Sequence, residues 1–88
     1  MTTHLGEDTI RAQLRAFIAE AFLLDGDVNL DDETSLLGSG ILDSTGVLEL
    51  VLHLEQSYGL EIADEEIIPE NLDSIDRLYR FLQARLSA

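Results

Sequence analysis

The hydrophobic pattern of the first part of the chain predicts one amphipathic helix. Its apolar residues recur at the spacings of a single helical face: Ile10, Leu14, Phe17, Ile18 and Ala21. Asp8 is a suitable N-cap for this helix, and Gly26 supplies the break that ends it. Residues 1–7 are therefore expected to form a flexible tail.

A second helix is predicted from Asp43 or Ser44 to Tyr58, with Gly59 ending it. It carries more apolar residues than one core face uses. The first face holds Val47, Leu50, Val51, Leu54 and Tyr58, and the second holds Thr45, Leu48, Glu49 and Leu52. The leucines of the second face are either isolated exposed residues, which are common, or part of a small docking surface. The pattern alone does not distinguish these two interpretations.

The end of the chain predicts a last helix capped by Asp73, with an inward face formed by Ile75, Leu78, Tyr79, Leu82 and Leu86. The stretch LEIADEEIIPEN before it indicates a connection with one short helical turn, closed by Pro69. A polar segment, residues 25–40, joins the first two helices, with Leu36 and Leu37 able to anchor it. The prediction is an all-α fold: a small four-helix bundle of three long helices and one short one, with a long loop between helices 1 and 2, in a single domain over residues 8–88.

The net charge of the chain limits the classes of partner that it can bind. The 88 residues include 18 acidic and 5 basic ones, a net charge of −13, so nucleic acid and anionic membranes would repel the chain. Proteins with basic patches are favoured instead. The chain has no cysteine, no signal peptide is visible, and no apolar run reaches the roughly 20 residues of a membrane span. A cytoplasmic monomer without membrane insertion is expected.

One acidic stretch partly matches a calcium-binding loop. Positions 1, 3, 5 and 7 of such a loop would be Asp25, Asp27, Asn29 and Asp31. The loop also needs glycine at position 6 and a bidentate glutamate at position 12, and these positions are Leu30 and Leu36. A solvated acidic loop is therefore the favoured interpretation, and no metal site is predicted.

Catalysis by the chain itself is not indicated. Ser44 and His53 are nine residues apart on one predicted helix, about 13 Å along its axis, so they cannot form a nucleophile–base pair. His53 is expected to be a surface or half-buried imidazole, and His4 lies in the tail. Gly38-Ser39-Gly40 follows no predicted strand and is expected to be a turn. The protein is thus predicted not to be an enzyme.

The stretch LDSTGVLELVLHLEQSYGLEI resembles the phosphopantetheine attachment motif of acyl carrier proteins. The lead-in LLGSGILDS resembles the glycine-containing approach of that family, and the likeness covers about four fifths of the chain. It implies a discrete acyl or aminoacyl carrier that holds thioesters on a 4'-phosphopantetheine arm, taken from coenzyme A and attached to Ser44. Its partners would be a phosphopantetheinyl transferase, an acyl- or aminoacyl-activating ligase, and downstream acyl-transfer or condensing enzymes.

The same resemblance assigns partner recognition to residues around the serine: Asp43, Thr45, Leu48, Glu49 and Leu52. Thr45 departs from the apolar residue usual after the serine, and Gly46 loosens the helix start by up to ~1 kcal/mol relative to alanine. The glycine-containing start is also similar to that of D-alanyl carriers. The alternative function is an acidic helical protein-interaction module without covalent modification.

Overall fold

The computed structural model describes residues 6–22 and 31–87, with side chains through residue 86. These residues form four α-helices, namely α1 (Glu7–Phe22), α2 (Ser44–Tyr58), α3 (Pro69–Leu72) and α4 (Ile75–Ser87), and one 3-10 helix, Asp64–Glu66. No strand occurs in these two ranges. The predicted bundle of three long helices and one short one is confirmed.

The first helix begins at Glu7, two residues earlier than an N-cap at Asp8 predicts. The carbonyl of Gly6 accepts a hydrogen bond from the N–H of Ile10 at 3.1 Å, so Gly6 occupies the capping position. The prediction that Asp8 is the N-cap was therefore wrong. Asp8 lies in the first turn instead, where its negative charge still interacts favourably with the helix dipole.

The inward face of α1 is rotated relative to the predicted one. Ile10, Leu14 and Ile18 are buried as expected, but Ala21 is exposed and Ala19 is buried in its place. The ionic cluster described below lies on this side of the helix, where Ala19 follows Arg11 and Arg15 at helical spacing, so this side and not that of Ala21 faces the rest of the protein. The prediction for Ala21 was wrong because apolar spacing alone does not show how polar contacts turn a helix.

The connection after α2 contains two short helical elements where one turn was predicted. In the 3-10 helix, Glu66 accepts a hydrogen bond from the Ala63 N–H at 2.9 Å and pairs with Arg85 at 2.7 Å. The hydrogen bond from Ala63, reinforced by Arg85, lowers the pKa of Glu66 below its ordinary value of 4.5. Pro69 does not close the connection but opens α3 at its first position, where a missing N–H costs nothing.

Ser74, and not Asp73, caps α4. The Ser74 hydroxyl oxygen accepts a hydrogen bond from the Arg77 N–H at 3.1 Å, and its carbonyl accepts one from the Leu78 N–H at 2.9 Å. Asp73 ends α3, and its side chain points to the loop before α2. The predicted role of Asp73 was wrong because two adjacent residues were both suitable caps.

The core is filled by side chains from all four helices and from the loop before α2. Its fully buried members are Leu14, Ile18, Leu36, Leu50, Leu54, Leu72, Ile75, Leu78 and Leu82. Leu37 packs against this cluster, so the predicted anchoring of the loop by two leucines is confirmed. Leu86 is exposed, contrary to the prediction, because it lies beyond Leu82, the last buried residue of α4.

An ionic cluster joins α1, the loop and α4. Arg11 pairs with Glu7 and Asp32 at 2.8 Å each and with Asp76 at 2.9 Å, and its guanidinium lies 4.7 Å from the ring centre of Tyr79. Arg15 also pairs with Asp32. The hydrogen bond from Arg11 lowers the pKa of Asp76 below its ordinary value of 3.8. The cluster ties Asp32, in the loop between α1 and α2, to α1 through both arginines and to α4 through Arg11.

Several predictions concern residues outside the described ranges. They are the tail through residue 5 with His4, the helix break at Gly26, and the first positions of the calcium-like loop, residues 25–30. Within 6–22 and 31–87, no helix is long and apolar enough to cross a membrane.

Candidate functional site

Ser44 is the first residue of α2, and its side chain is exposed. The preceding Asp43 has extended backbone geometry and acts as the N-cap. Its Oδ1 accepts a hydrogen bond from the Gly46 N–H at 2.7 Å, and its carbonyl accepts one from the Val47 N–H at 2.9 Å. The cap fixes where the helix starts, so the Ser44 hydroxyl projects from a defined helical turn.

The start of α2 has unused hydrogen-bond donors beside this hydroxyl. Within the described part of the chain, the backbone N–H groups of Ser44 and Thr45 have no protein acceptor. Free N–H groups and the helix dipole both favour an anion at this end of a helix. The chemistry of the turn therefore fits a serine that carries a phosphodiester.

Gly46 has a structural purpose that the sequence did not show. It is buried, and a Cβ atom placed on it would lie 3.1 Å from Cε1 of Phe22 and 3.2 Å from Oδ1 of Asp43. A side chain here would press on the end of α1 and on the capping carboxylate together. Gly46 thus allows the capped turn to pack closely against α1, which offsets its low helix propensity.

The second face of α2 lies on the surface. Leu48 and Leu52 are 64% and 54% exposed, and Thr45 and Glu49 beside them are also exposed. Leu50 and Leu54, on the first face, are completely buried. The structure therefore shows that Leu48 and Leu52 are not core residues. With Thr45 and Glu49 they form what we call the outer α2 face.

The loop before Ser44 is held by the corner between α3 and α4. Asp73 accepts hydrogen bonds from the backbone N–H groups of Leu36 and Leu37, at its carbonyl (2.6 Å) and its Oδ1 (2.9 Å). Its carboxylate also accepts the Ser35 hydroxyl at 2.9 Å. These contacts were not predictable from the sequence, since 36 or more residues separate the partners and aspartate is common in caps.

His53 is half-buried, as predicted, on a side of α2 that meets α1. Its ring stacks on Phe17 with 3.8 Å between the ring centres and 5° between the planes. Burial lowers the pKa of His53 below its ordinary value of 6.5. Since Ser44 and His53 lie on one continuous helix, nine residues apart, the structure does not bring them together.

The comparison with protein families bears directly on this serine-containing turn. The family model described as the phosphopantetheine attachment site matches residues 12–82, which include α2 and most of the core. The chain belongs to this family. It is an acyl carrier-type protein that bears a covalent 4'-phosphopantetheine arm.

A curated relative agrees with this assignment. The carrier is 33% identical over 64 residues to the D-alanyl carrier protein of Abiotrophia defectiva, and the match covers 73% of each chain. Carrier families of this kind are non-catalytic and in general interact with phosphopantetheinyl transferases and with ligases or acyltransferases. No group of three or more potential metal ligands occurs in the two ranges that the structure describes.

Proposed function

We propose that Ser44 is the residue to which the arm is attached. The observation that carries this proposal is an exposed hydroxyl on the first residue of a capped helix, inside the region that matches the family. A phosphopantetheinyl transferase would use Mg²⁺ to transfer the phosphopantetheinyl group of coenzyme A to the Ser44 oxygen. The pyrophosphate bond of coenzyme A would break, adenosine 3',5'-bisphosphate would leave, and the hydroxyl would lose its proton. When bound, the arm supplies a terminal thiol that holds the cargo as a thioester.

The residues around Ser44 have separate tasks in this proposal. Asp43 fixes the start of α2 through its cap and, being exposed, presents its carboxylate to the transferase. The N–H groups of Ser44 and Thr45 stabilise the negative charge of the phosphodiester. The chain itself acts as a carrier and not as an enzyme, and the visiting enzymes perform the chemistry.

The outer α2 face is the proposed recognition surface for these enzymes. Leu48 and Leu52 lie four residues apart and are therefore neighbours on the helix, with Glu49 and Thr45 at their side. An exposed apolar pair with one carboxylate fits a partner that has an apolar pocket and a nearby cation. The partners are a transferase, an activating ligase and downstream acyl-transfer or condensing enzymes, which we place with the carrier in the cytoplasm.

The cargo is proposed to be an aminoacyl group. The similarity to a D-alanyl carrier protein supports this choice and makes D-alanine the first amino acid to test. The purified arm-bearing protein would be incubated with ATP, D-alanine and a D-alanine-activating ligase, with L-alanine and a fatty acid plus its own ligase as parallel reactions. A mass increase of one alanyl group that hydroxylamine removes supports the proposal, whereas loading by the fatty acid alone contradicts it.

Intact-mass measurement tests the attachment site. The wild-type protein and the variants Ser44→Ala and Thr45→Ala would be incubated with coenzyme A, Mg²⁺ and a broad-specificity transferase. We expect one phosphopantetheinyl mass on the wild-type protein and on Thr45→Ala, and none on Ser44→Ala. The reactions are run to completion, so that slower recognition of a variant does not change the final mass. Thr45→Ala is then a matched control because it removes the adjacent exposed hydroxyl of the same helix turn. An arm on Ser44→Ala would show that another residue is modified.

A further inference from the structure

The α3–α4 corner contacts the loop before Ser44 through one residue. Asp73 accepts from the Leu36 N–H at 2.6 Å, from the Leu37 N–H at 2.9 Å and from the Ser35 hydroxyl at 2.9 Å. Two of these three bonds end on the carboxylate. A charged acceptor strengthens such bonds, so Asp73 is the main polar attachment of residues 35–37 to the folded body.

The attached segment leads to the serine through a second hydrogen bond. The carbonyl of Leu36 accepts from the Leu42 N–H at 2.9 Å, and both leucines are buried, at 0% and 3% exposure. Leu42 directly precedes Asp43, which caps α2 and so fixes Ser44. A continuous path of short contacts therefore runs from Asp73 to the modified turn, although the two are 29 residues apart in sequence.

We propose that Asp73 is a positioning residue for phosphopantetheinyl transfer, acting on Ser44 through residues 35–37 and Leu42. This inference rests on the proposed attachment at Ser44. When the Asp73 side chain is removed, the loop keeps its buried leucines and the bond from the Leu36 N–H to the Asp73 carbonyl, but it loses both bonds to the carboxylate. The turn that carries the hydroxyl then has a wider range of positions. Misplacement of a reacting group by about 1 Å can cost a factor of up to ~100 in rate.

The geometry further predicts which part of the carboxylate is needed. The Leu37 N–H and the Ser35 hydroxyl can both donate to the same oxygen, Oδ1. An asparagine retains this oxygen as an acceptor. Asp73→Asn should therefore preserve the positioning that Asp73→Ala removes, even though it lacks the charge.

The test compares steady-state arm transfer to the wild-type protein, Asp73→Ala, Asp73→Asn and the control Glu55→Ala. Glu55 also uses a carboxylate oxygen to hold a loop, accepting the Ile62 N–H at 2.8 Å, but it lies near the opposite end of α2. All reactions are run well below the melting temperature of every variant. For Asp73→Ala we expect kcat to fall about tenfold while KM stays within about twofold, because the outer α2 face is unchanged. Asp73→Asn and Glu55→Ala should keep kcat within about twofold of wild type.

The possible failures can be told apart. Equal kcat for Asp73→Ala and Glu55→Ala would overturn the inference, and so would an Asp73→Asn variant as slow as Asp73→Ala. Wild-type protein that gains its arm at a residue other than Ser44 would instead refute the proposed function. If Asp73→Ala does not fold, Ser35→Ala removes one of the same bonds, and its kcat should fall about threefold. Faster amide exchange at Gly46 in that variant supports the inference, and unchanged kcat and exchange contradict it.

Discussion

Replacing single leucines of α2 with alanine distinguishes its buried face from its exposed face by experiment. Leu48 is 64% exposed and Leu52 is 54% exposed, whereas Leu54 on the same helix is completely buried. We expect Leu54→Ala to destabilise the protein strongly, and Leu48→Ala and Leu52→Ala to leave its stability almost unchanged. The same substitution at all three positions keeps the change in side-chain chemistry constant, so only the environment differs.

The magnitudes follow from these exposures. Full burial of a leucine side chain contributes about 1.5–3 kcal/mol, and Leu48 and Leu52 bury less than half of their surface. Their truncation should therefore cost about 1 kcal/mol or less, and the better helix propensity of alanine offsets a few tenths of that amount. At Leu54 the cavity left in the core adds to the lost burial, which gives about 2–5 kcal/mol.

The assay combines unfolding and arm transfer. Urea titration gives the free energy of unfolding of each variant, and transferase kinetics give KM and kcat. Leu48→Ala and Leu52→Ala should raise KM severalfold with little change in stability. Leu54→Ala should unfold much earlier but retain a near-normal KM at temperatures where it is folded.

Two results would refute this reasoning. If Leu48→Ala lost as much stability as Leu54→Ala, the outer α2 face would be part of the core. If both outer variants kept wild-type KM with the transferase and with a loading ligase, the face would be exposed without serving as a recognition surface. Glu49→Lys is a further check, since reversing a charge at a docking site should slow association most at low salt.

Two other contacts give testable outcomes. Gly46→Ala should lower the free energy of unfolding, measured by urea titration, because the added Cβ would lie 3.1 Å from Phe22 and 3.2 Å from the capping oxygen of Asp43. A gain near the ~1 kcal/mol that helix propensity alone predicts would contradict this. Asp76→Asn tests the ionic cluster: since Arg11 lowers the pKa of Asp76, its contribution is fully present above the ordinary value of 3.8 and is lost as pH falls through the lower folded value. The stability difference between wild type and Asp76→Asn should therefore shrink as pH falls from about 5 to about 2, and a constant difference over that range would contradict it.

The helical fold was predictable because its main signals are local. The apolar spacing of α2, the αL glycine at its end (Gly59, φ 66°) and the Asp-Ser start all lie within 17 residues. The outer α2 face was recognisable for the same reason, because the spacing of its residues along one helix indicates it. Whether that face was buried was not predictable, because burial depends on which neighbouring helices cover it.

The errors have a common physical origin in contacts between distant residues. Ala21 was predicted to face inward because the pairing of Arg11 with Asp32 and Asp76 was not visible in the spacing of apolar residues. Asp73 was predicted to cap α4 because its actual donors lie in a loop far away in sequence. Short-range propensity describes single elements well, but it does not determine which polar side chains meet between them.

The exposed leucines of α2 also affect how the free protein behaves among its own copies. Leu48 and Leu52 form an apolar patch that any other copy can contact, and such patches promote association. At neutral pH the net charge of −13 keeps the copies apart by mutual repulsion. This repulsion depends on ionised carboxylates, so it becomes weaker in mild acid, at pH values near about 4. We expect the carrier to self-associate at that pH before it unfolds, through the surface that we propose for partner recognition.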